Sequence, residues 1–319
     1  MPRESDKLDQ AARAAWLSWV GGLTQDEIAR EMGISRQTAQ RLTAQAMAAG
    51  IVKVRIDHPL ADCLDLAVRL QQRFGLLHVD VSPELAGPAG VAMLIAGLIE
   101  TYLTKPDPIT LAIGTGRTLR AGVTQMARIN CPQHRIVSLT GNIAPDGSTA
   151  YYNVLFSLSE IVTAHSYPLM VPVIAATADE REALQRQPGN QRVMEMASNA
   201  DIALIGLGDL GAQAPLKVDG FMSMDEITSL VERGAVGEFL GHAFNERGEV
   251  LSFDGRVASS RLPDHDNALI VAAVHGPAKH PAVLGSLRGH LVNGLICDEE
   301  TARWLLEQPL SDQPGPPSS

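Results

Sequence analysis

The apolar positions of this chain follow two rhythms. Between Leu23 and Ala49, in LTQDEIAREMGISRQTAQRLTAQAMAA, they recur at helical spacing. Ile28 and Met32 lie four apart on one helix, and Ala39, Leu42 and Ala46 share one side of a second. Polar residues mark the ends. Thr24 stands three residues before Glu27, which is the order of a capping box, and Ser35 stands where it can cap the second helix. Gly33 supplies the turn and Ile34 packs inward. Leu8 to Val20 predicts a leading helix, with Ala11, Ala15, Leu17 and Trp19 among its apolar positions. Gly50 ends the third helix. Ile51 to Ile56 then alternates, which predicts a short strand or wing that His58-Pro59 breaks. Leu60 to Phe74 predicts a linking helix with Leu64, Leu66, Val68 and Leu70 as apolar positions.

From Leu76 onward short apolar runs alternate with helical segments. Strands are predicted at Leu77 to Val81, Ile109 to Ile113, Arg135 to Leu139, Val171 to Ala175, Ile202 to Ile205, Leu269 to Val274 and Leu295 to Cys297. Helices are predicted at Gly90 to Leu103, Thr118 to Ala127, Tyr152 to Ala164, Val193 to Asn199, Met224 to Arg233 and Ala278 to Gly289. This alternation predicts an α/β domain with a mostly parallel sheet, which binds small ligands at loops leaving the carboxyl ends of its strands. The organisation expected is a helix-turn-helix domain over 1–57, a linker helix over 58–75, an α/β domain over 76–308 and a disordered Pro/Ser-rich tail over 309–319.

The second helix of the capped pair presents Arg36, Gln37, Gln40 and Arg41 near its start and on its polar side. Arg and Gln can pair with guanine and adenine edges, and a recognition helix reads bases from its N-terminal half. The candidate DNA contacts are Thr24, Ser35, Arg36, Gln37, Thr38, Gln40 and Arg41. An ordinary capped hairpin is the alternative, but the compact order of cap, apolar spacing, glycine turn, second cap and basic-polar face favours DNA. Charge refines this. The chain of 319 residues carries a net charge of -10, which argues against coating nucleic acid nonspecifically. Residues 1–57 hold eight basic and seven acidic side chains, against 18 and 29 in the remainder, so the acidity belongs to the larger part. A near-neutral head binds weakly alone and suits palindromic half-sites read by a homo-oligomer, a dimer or tetramer.

With 45% apolar and 19% charged residues the chain can bury a large core, and its length suggests about two domains. The longest apolar run, Val91 to Ile99, contains Gly97 and falls short of a membrane span. The polar start MPRESDKLDQ has no apolar segment of a signal peptide. Cys63, Cys131 and Cys297 are scattered and form no metal or disulfide pattern. A cytoplasmic protein without metal, cofactor or membrane partner is expected.

Several loops could carry chemistry. Gly114-Thr115-Gly116-Arg117-Thr118 runs from a strand into a helix, and its amides, hydroxyls and guanidinium would suit a phosphate or a polyol; a tight turn without ligand is equally consistent. Thr140-Gly141-Asn142 follows the next strand and would line the same crevice. Gly206-Leu207-Gly208-Asp209-Leu210-Gly211 has dinucleotide-fingerprint spacing, but Pro215 and Gly220 interrupt the helix that should follow, and no acidic residue ends a second strand about 20 positions on. A loop beside the ligand, with Asp209 accepting from a hydroxyl, fits better. Lys279 lies after a strand at a helix start and could meet an anion or remain solvated. His242, His275, His280 and His290 lack metal-ligand spacing, and no nucleophile motif such as GxSxG is present, so no catalytic residue is assigned.

Taken together, LTQDEIAREMGISRQTAQRL, IGTGRTLRA, GLGDLG, VGEFLGHAFNERGEVL and HGPAKHPAVLGSLRGHLVNGLICDEETARWLL resemble the SorC family of sugar-responsive bacterial transcription regulators. The resemblance spans nearly the whole chain, and the last two segments are its more specific parts. It implies an effector domain with the fold of sugar-phosphate isomerases and deaminases that serves as a sensor for sugars, sugar alcohols or sugar phosphates. On it, Gly114, Thr115, Gly116, Arg117 and Thr118 would form a cradle for a phosphate or terminal hydroxyl, with Thr140, Gly141 and Asn142 as a second loop. Asp209 and Glu238 would accept from hydroxyls, and Lys279 would pair with an anionic end. Asn142 and His275 stand where family members often carry glycine. The expectation is therefore an operator-binding regulator of a carbohydrate or polyol operon. The alternatives are a sugar-phosphate isomerase or deaminase fused to a DNA-binding head, with Glu238, Asp209 and His242 pressed into proton transfer, or a module whose small domain binds protein.

Overall fold

The computed structural model describes residues 4–52, 61–144, 148, 153–252 and 254–309. The predicted wing beyond Val52, the His58-Pro59 break, residues 310–319 of the predicted tail and the side chain of Asn142 lie outside the described residues. The chain forms two compact units, Met1–His58 and Pro59–Ser319.

The first unit holds three helices, α1 (Glu4–Trp19), α2 (Gln25–Met32) and α3 (Arg36–Ala48). The capping box at Thr24 forms in both directions. The Thr24 N–H donates to Glu27 Oε2 at 2.8 Å, and the Glu27 N–H donates to Thr24 Oγ1 at 3.4 Å. Gly33 closes α2, its N–H returning to the carbonyls of Ala29 and Arg30. Ser35 caps α3 by accepting the Thr38 N–H at 3.2 Å. Ala11, Ala14, Ala15, Ile28, Ala29, Ala39, Leu42 and Ala46 make a small core, with Leu17 and Ile34 packed against it. The alanines let three short helices approach closely. Trp19, expected among the apolar positions, stays 47% exposed, because the alanine stripe and not the tryptophan faces the other helices. Ile51 and Val52 belong to no strand.

The second unit runs α4 (Ala61–Phe74), β1 (His78–Ser82), α5 (Gly87–Leu103), β2 (Thr110–Ile113), α6 (Arg117–Gln125), β3 (Arg135–Ile143), α7 (Val154–Ser159), β4 (His165–Pro172), α8 (Ala178–Gln185) and α9 (Pro188–Ser198). It continues with β5 (Ile202–Gly206), α10 (Pro215–Val218), α11 (Met224–Glu232), β6 (Ala235–Phe239), β7 (His242–Asn245), β8 (Leu269–Ala273), α12 (His280–Arg288), β9 (Gly294–Asp298) and α13 (Glu299–Glu307). Seven strands form one sheet in the order β1-β9-β8-β5-β2-β3-β4, every neighbouring pair parallel. Alternate strand residues feed two cores. Leu111, Ile113, Ile136, Ile202 and Leu204 pack with α5, α6 and α7, whereas Ala112, Val137, Ala203, Ile205 and Ala272 pack with α4, α9, α12 and α13. The sheet is thus covered on both faces, as a parallel sheet must be. From β2 the chain winds outward through β3 and β4, then returns to β5 on the other side of β2. Strand order therefore reverses between β2 and β5, where open α/β sheets bind ligands.

The structure corrects several boundaries. The strand expected at Val171 to Ala175 begins six residues earlier, as β4. Pro168 and Pro172 lie within it and have no N–H to donate, which an edge strand can do without. Of the helix expected over Tyr152 to Ala164, Tyr152 lies outside the described residues and the remainder holds only α7. Thr140, Gly141 and Asn142, expected as a loop, continue β3. The antiparallel hairpin β6–β7 and the helices α8 and α10 were not expected. Of the four apolar positions expected in α4, Leu66 and Leu70 are buried but Leu64 and Val68 are exposed. Residues two apart cannot all share one helix face. By length and composition Glu84–Leu103 could cross a membrane, but Val91, Ile95, Ile99 and Leu103 are buried in the core beneath it.

Candidate functional site

On the first unit, Arg36, Gln37, Gln40 and Arg41 are all exposed along the start of α3. Thr24, Ser35 and Thr38 are occupied in capping, Ser35 and Thr38 sharing a hydroxyl contact of 2.8 Å. Arg36 reaches Asp26 at 3.5 Å with both side chains mostly exposed. Such a pair contributes little, so Arg36 can exchange it for a phosphate or a base edge.

On the second unit, a cavity of about 340 Å³ opens at the carboxyl ends of the central strands. The segment after β2 supplies Thr115, Gly116, Arg117 and Thr118, and β3 supplies Thr140. The segment after β5 supplies Gly206 to Asp209, the β6–β7 hairpin supplies Glu238, and the turn after β8 supplies Lys279. Val173, Leu207, Leu216, Phe221 and Leu240 give it an apolar side. The volume sits at the lower end of the roughly 300–1,000 Å³ typical of ligand pockets.

The charged groups are paired. Lys279 Nζ donates to Asp209 Oδ2 at 2.8 Å, with side chains 19% and 22% exposed. Burial alone would raise Asp209, but the hydrogen bond and charge of Lys279, with the Gly211 N–H at 3.2 Å, outweigh it and hold the carboxyl below its usual range. Arg117 Nη2 lies 3.9 Å from Asp219 Oδ1. Burial raises Asp219 above its ordinary value, and the Arg117 charge only partly opposes this.

Glu238 is buried. Its backbone bridges Gly208 in both directions, Gly208 N–H to Glu238 O at 2.8 Å and Glu238 N–H to Gly208 O at 2.9 Å. Its Oε2 accepts the Gly241 N–H at 3.0 Å. A methyl added to Gly208 would stand 2.0 Å from Oε1, so glycine is the residue that lets the carboxyl lie there. The middle glycine of the GxGxxG spacing therefore seats a glutamate and has nothing to do with a dinucleotide. Burial raises Glu238, the Gly241 N–H and Lys279 opposing it and Asp209 and Asp219 adding to it. Its native pKa lies above the ordinary 4.5, so the native state holds the proton more tightly than the unfolded chain. The stability this brings is complete below 4.5 and is lost as pH rises through the native value. Glu238→Gln is expected to flatten that decline. Melting temperatures measured across pH for both proteins check it, and parallel curves would refute it.

Not every expected residue reaches the cavity. Gly114 lies behind the wall, its α-carbon backed by Leu240 and β5. Gly141 is required by the sheet, since a Cβ there would meet the carbonyl oxygens of Val171 and Pro172 at 2.4 Å. His242 does not line the cavity. It contacts Ser259 Oγ through Nε2 at 3.0 Å, and burial, with the charge of Arg181, lowers its pKa. Asp219, Gln213 and Phe221 were missed. The signal available was the Pro215 and Gly220 interruption, which in the structure is the short α10 that carries Asp219 toward Arg117.

Residues 58–307 match the family model Sugar-bind, a sugar-binding domain. Over 306 residues the chain is 35% identical to the erythritol catabolism regulatory protein EryD of Brucella abortus, covering 94% of this chain and 96% of that one. It is 30% identical over 304 residues to the transcriptional regulator LsrR of an Enterobacter species, covering 92% of each. The full-length sorbitol operon regulator SorC of Klebsiella pneumoniae has the same fold, with a TM-score of 0.72 at 22% identity over 93% of this chain and 98% of that one.

Proposed function

The chain belongs to the SorC family of sugar-binding transcriptional regulators, and from this we propose how its parts divide the work. Residues 1–57 read operator DNA through Arg36, Gln37, Gln40 and Arg41, with Thr24, Ser35 and Thr38 setting the backbone and reaching phosphates. Residues 76–308 bind the effector and hold the chain in a cytoplasmic homo-oligomer, and 58–75 link the two. The effector is a sugar, sugar alcohol or sugar phosphate, and the operon serves carbohydrate or polyol catabolism. A ligand alters DNA binding only by favouring one arrangement of paired heads over another.

One observation carries the effector reading. Thr115, Thr118, Thr140, Asp209, Glu238 and Lys279 come from five separate segments and converge on one cavity at the reversal of strand order. In the reading adopted here Thr115, Gly116, Arg117 and Thr118 cradle one end of the ligand, Thr140 flanks it, and Asp209, Glu238 and Lys279 take its hydroxyls. Gly114 and Gly141 shape the surrounding structure without being contacts. We read the protein as a sensor and not an enzyme, because Asp209 is committed to Lys279 and His242 is outside the cavity.

A thermal-shift screen of pentoses, hexoses and polyols is expected to yield a stabilising ligand by mass action. Thr115→Ala should abolish that stabilisation, and an unchanged shift in the variant would remove the cradle. Turnover of the stabilising ligand, followed by NMR, would favour the isomerase-like alternative.

A further inference from the structure

Both cationic side chains that line the cavity already face a carboxylate. Lys279 holds Asp209 at 2.8 Å, and Arg117 stands 3.9 Å from Asp219. Glu238 adds a third carboxyl to the same wall. Two cations are therefore set against three carboxyls, with no other charged residue lining the cavity among the described residues.

A phosphate monoester is held most strongly by cations whose charge it can take up through charge-assisted hydrogen bonds. Here a dianion would have to separate Lys279 from Asp209 and leave that carboxylate, only 22% exposed, without its partner. At the Arg117 end the contact is looser, 3.9 Å with Arg117 itself 53% exposed, but Asp219 is 20% exposed and its carboxyl still stands against a dianion. The amides at the start of α6 favour an anion, but a helix end offers only about half a charge, less than either carboxylate opposes. A hydroxyl has no such conflict. It can donate to Asp209 and accept from Lys279 at once, so an intact ion pair is a ready binding element for a diol. Thr115, Thr118, Thr140 and Gln213 add groups that donate and accept equally well.

Resting on the reading of this cavity as the effector site, we propose that the effector is an uncharged polyol or sugar and that Asp209 and Asp219 exclude phosphorylated sugars. The Lys279–Asp209 pair is the main selectivity device, committing the more buried cation, and the Asp219 carboxyl adds its charge beside Arg117.

The test uses the full-length protein and matched pairs: erythritol, xylitol, glucitol and ribose, each beside its terminal monophosphate ester, with inorganic phosphate as a control. Isothermal titration is expected to find a free compound that binds and an ester at least about tenfold weaker. Asp209→Asn keeps the shape but releases Lys279, and should tighten the ester by about tenfold while weakening the free compound. Asp219→Asn releases Arg117 in the same way and serves if the first variant does not fold. A wild-type protein that binds an ester more tightly than its parent, with that binding lost in Lys279→Met, overturns the exclusion but leaves the cavity as the effector site. If neither member of any pair binds, the effector reading falls, and the exclusion with it.

Discussion

Replacing Arg36 and Arg41 together with alanine is expected to abolish operator binding. Both lie exposed near the start of α3, on the side opposite the buried Ala39, Leu42 and Ala46. An arginine that pairs with a base edge contributes about 1–3 kcal/mol of discrimination, so losing two removes roughly 2–6 kcal/mol. The fold should survive, because neither side chain enters the core and the Arg36–Asp26 contact is exposed. An electrophoretic shift of the protein's own promoter, repeated across salt concentrations, measures the loss. The variant should show a shallower salt slope as well as weaker binding. A double variant that binds like wild type would take the DNA-reading role away from α3.

Gly208→Ala carries the second large effect. The new methyl would stand 2.0 Å from Glu238 Oε1 and 2.7 Å from its carboxyl carbon. The two backbones cannot part to admit it, since they are joined by hydrogen bonds of 2.8 and 2.9 Å. The carboxyl must swing away and give up the Gly241 N–H. Overpacking costs about 1–3 kcal/mol, and an orphaned buried polar group costs about 1–3 kcal/mol, so a loss of roughly 2–6 kcal/mol is expected. Effector-induced stabilisation should disappear with it. The double variant Gly208→Ala with Glu238→Ala should recover the overpacking part of the loss but neither the Gly241 hydrogen bond nor the ligand response, because the methyl then meets no carboxyl. Urea unfolding of Gly208→Ala, Glu238→Ala and the double variant decides this, and strictly additive losses would sink the account.

The three-helix head could be read before any coordinates because its determinants are local. The caps at Thr24 and Ser35 act over three residues, and the alanine stripe follows the helical period. Strand–helix alternation likewise announced a parallel sheet. The site was less legible. Thr115, Arg117 and Thr118 could be placed because the end of β2 marks itself, whereas Thr140 reaches the cavity from within β3. Gly141, by contrast, looked like part of a binding loop when it is there to admit the β4 backbone. Glu238 stands out only through the family resemblance, Lys279 also by its place after a strand at a helix start, and Asp219 by neither, because no spacing in the chain pairs it with Arg117.

The capped helix pair, the alternation that commits residues beyond Leu76 to an α/β sheet, and the acidity of that larger part are all legible along the chain. These follow from forces that reach four residues or fewer, or from composition. Only the tertiary structure decided which polar groups share the cavity and which charges are already matched. Lys279 and Asp209 lie 70 positions apart, and Gly208 and Glu238 lie 30 apart. Their meeting is set by the strand order β8-β5-β2-β3 and by the hairpin laid against it. Chain spacing does not encode that order. It emerges when buried strands choose neighbours to cover both faces of one sheet, and that choice turned two cations into ion pairs.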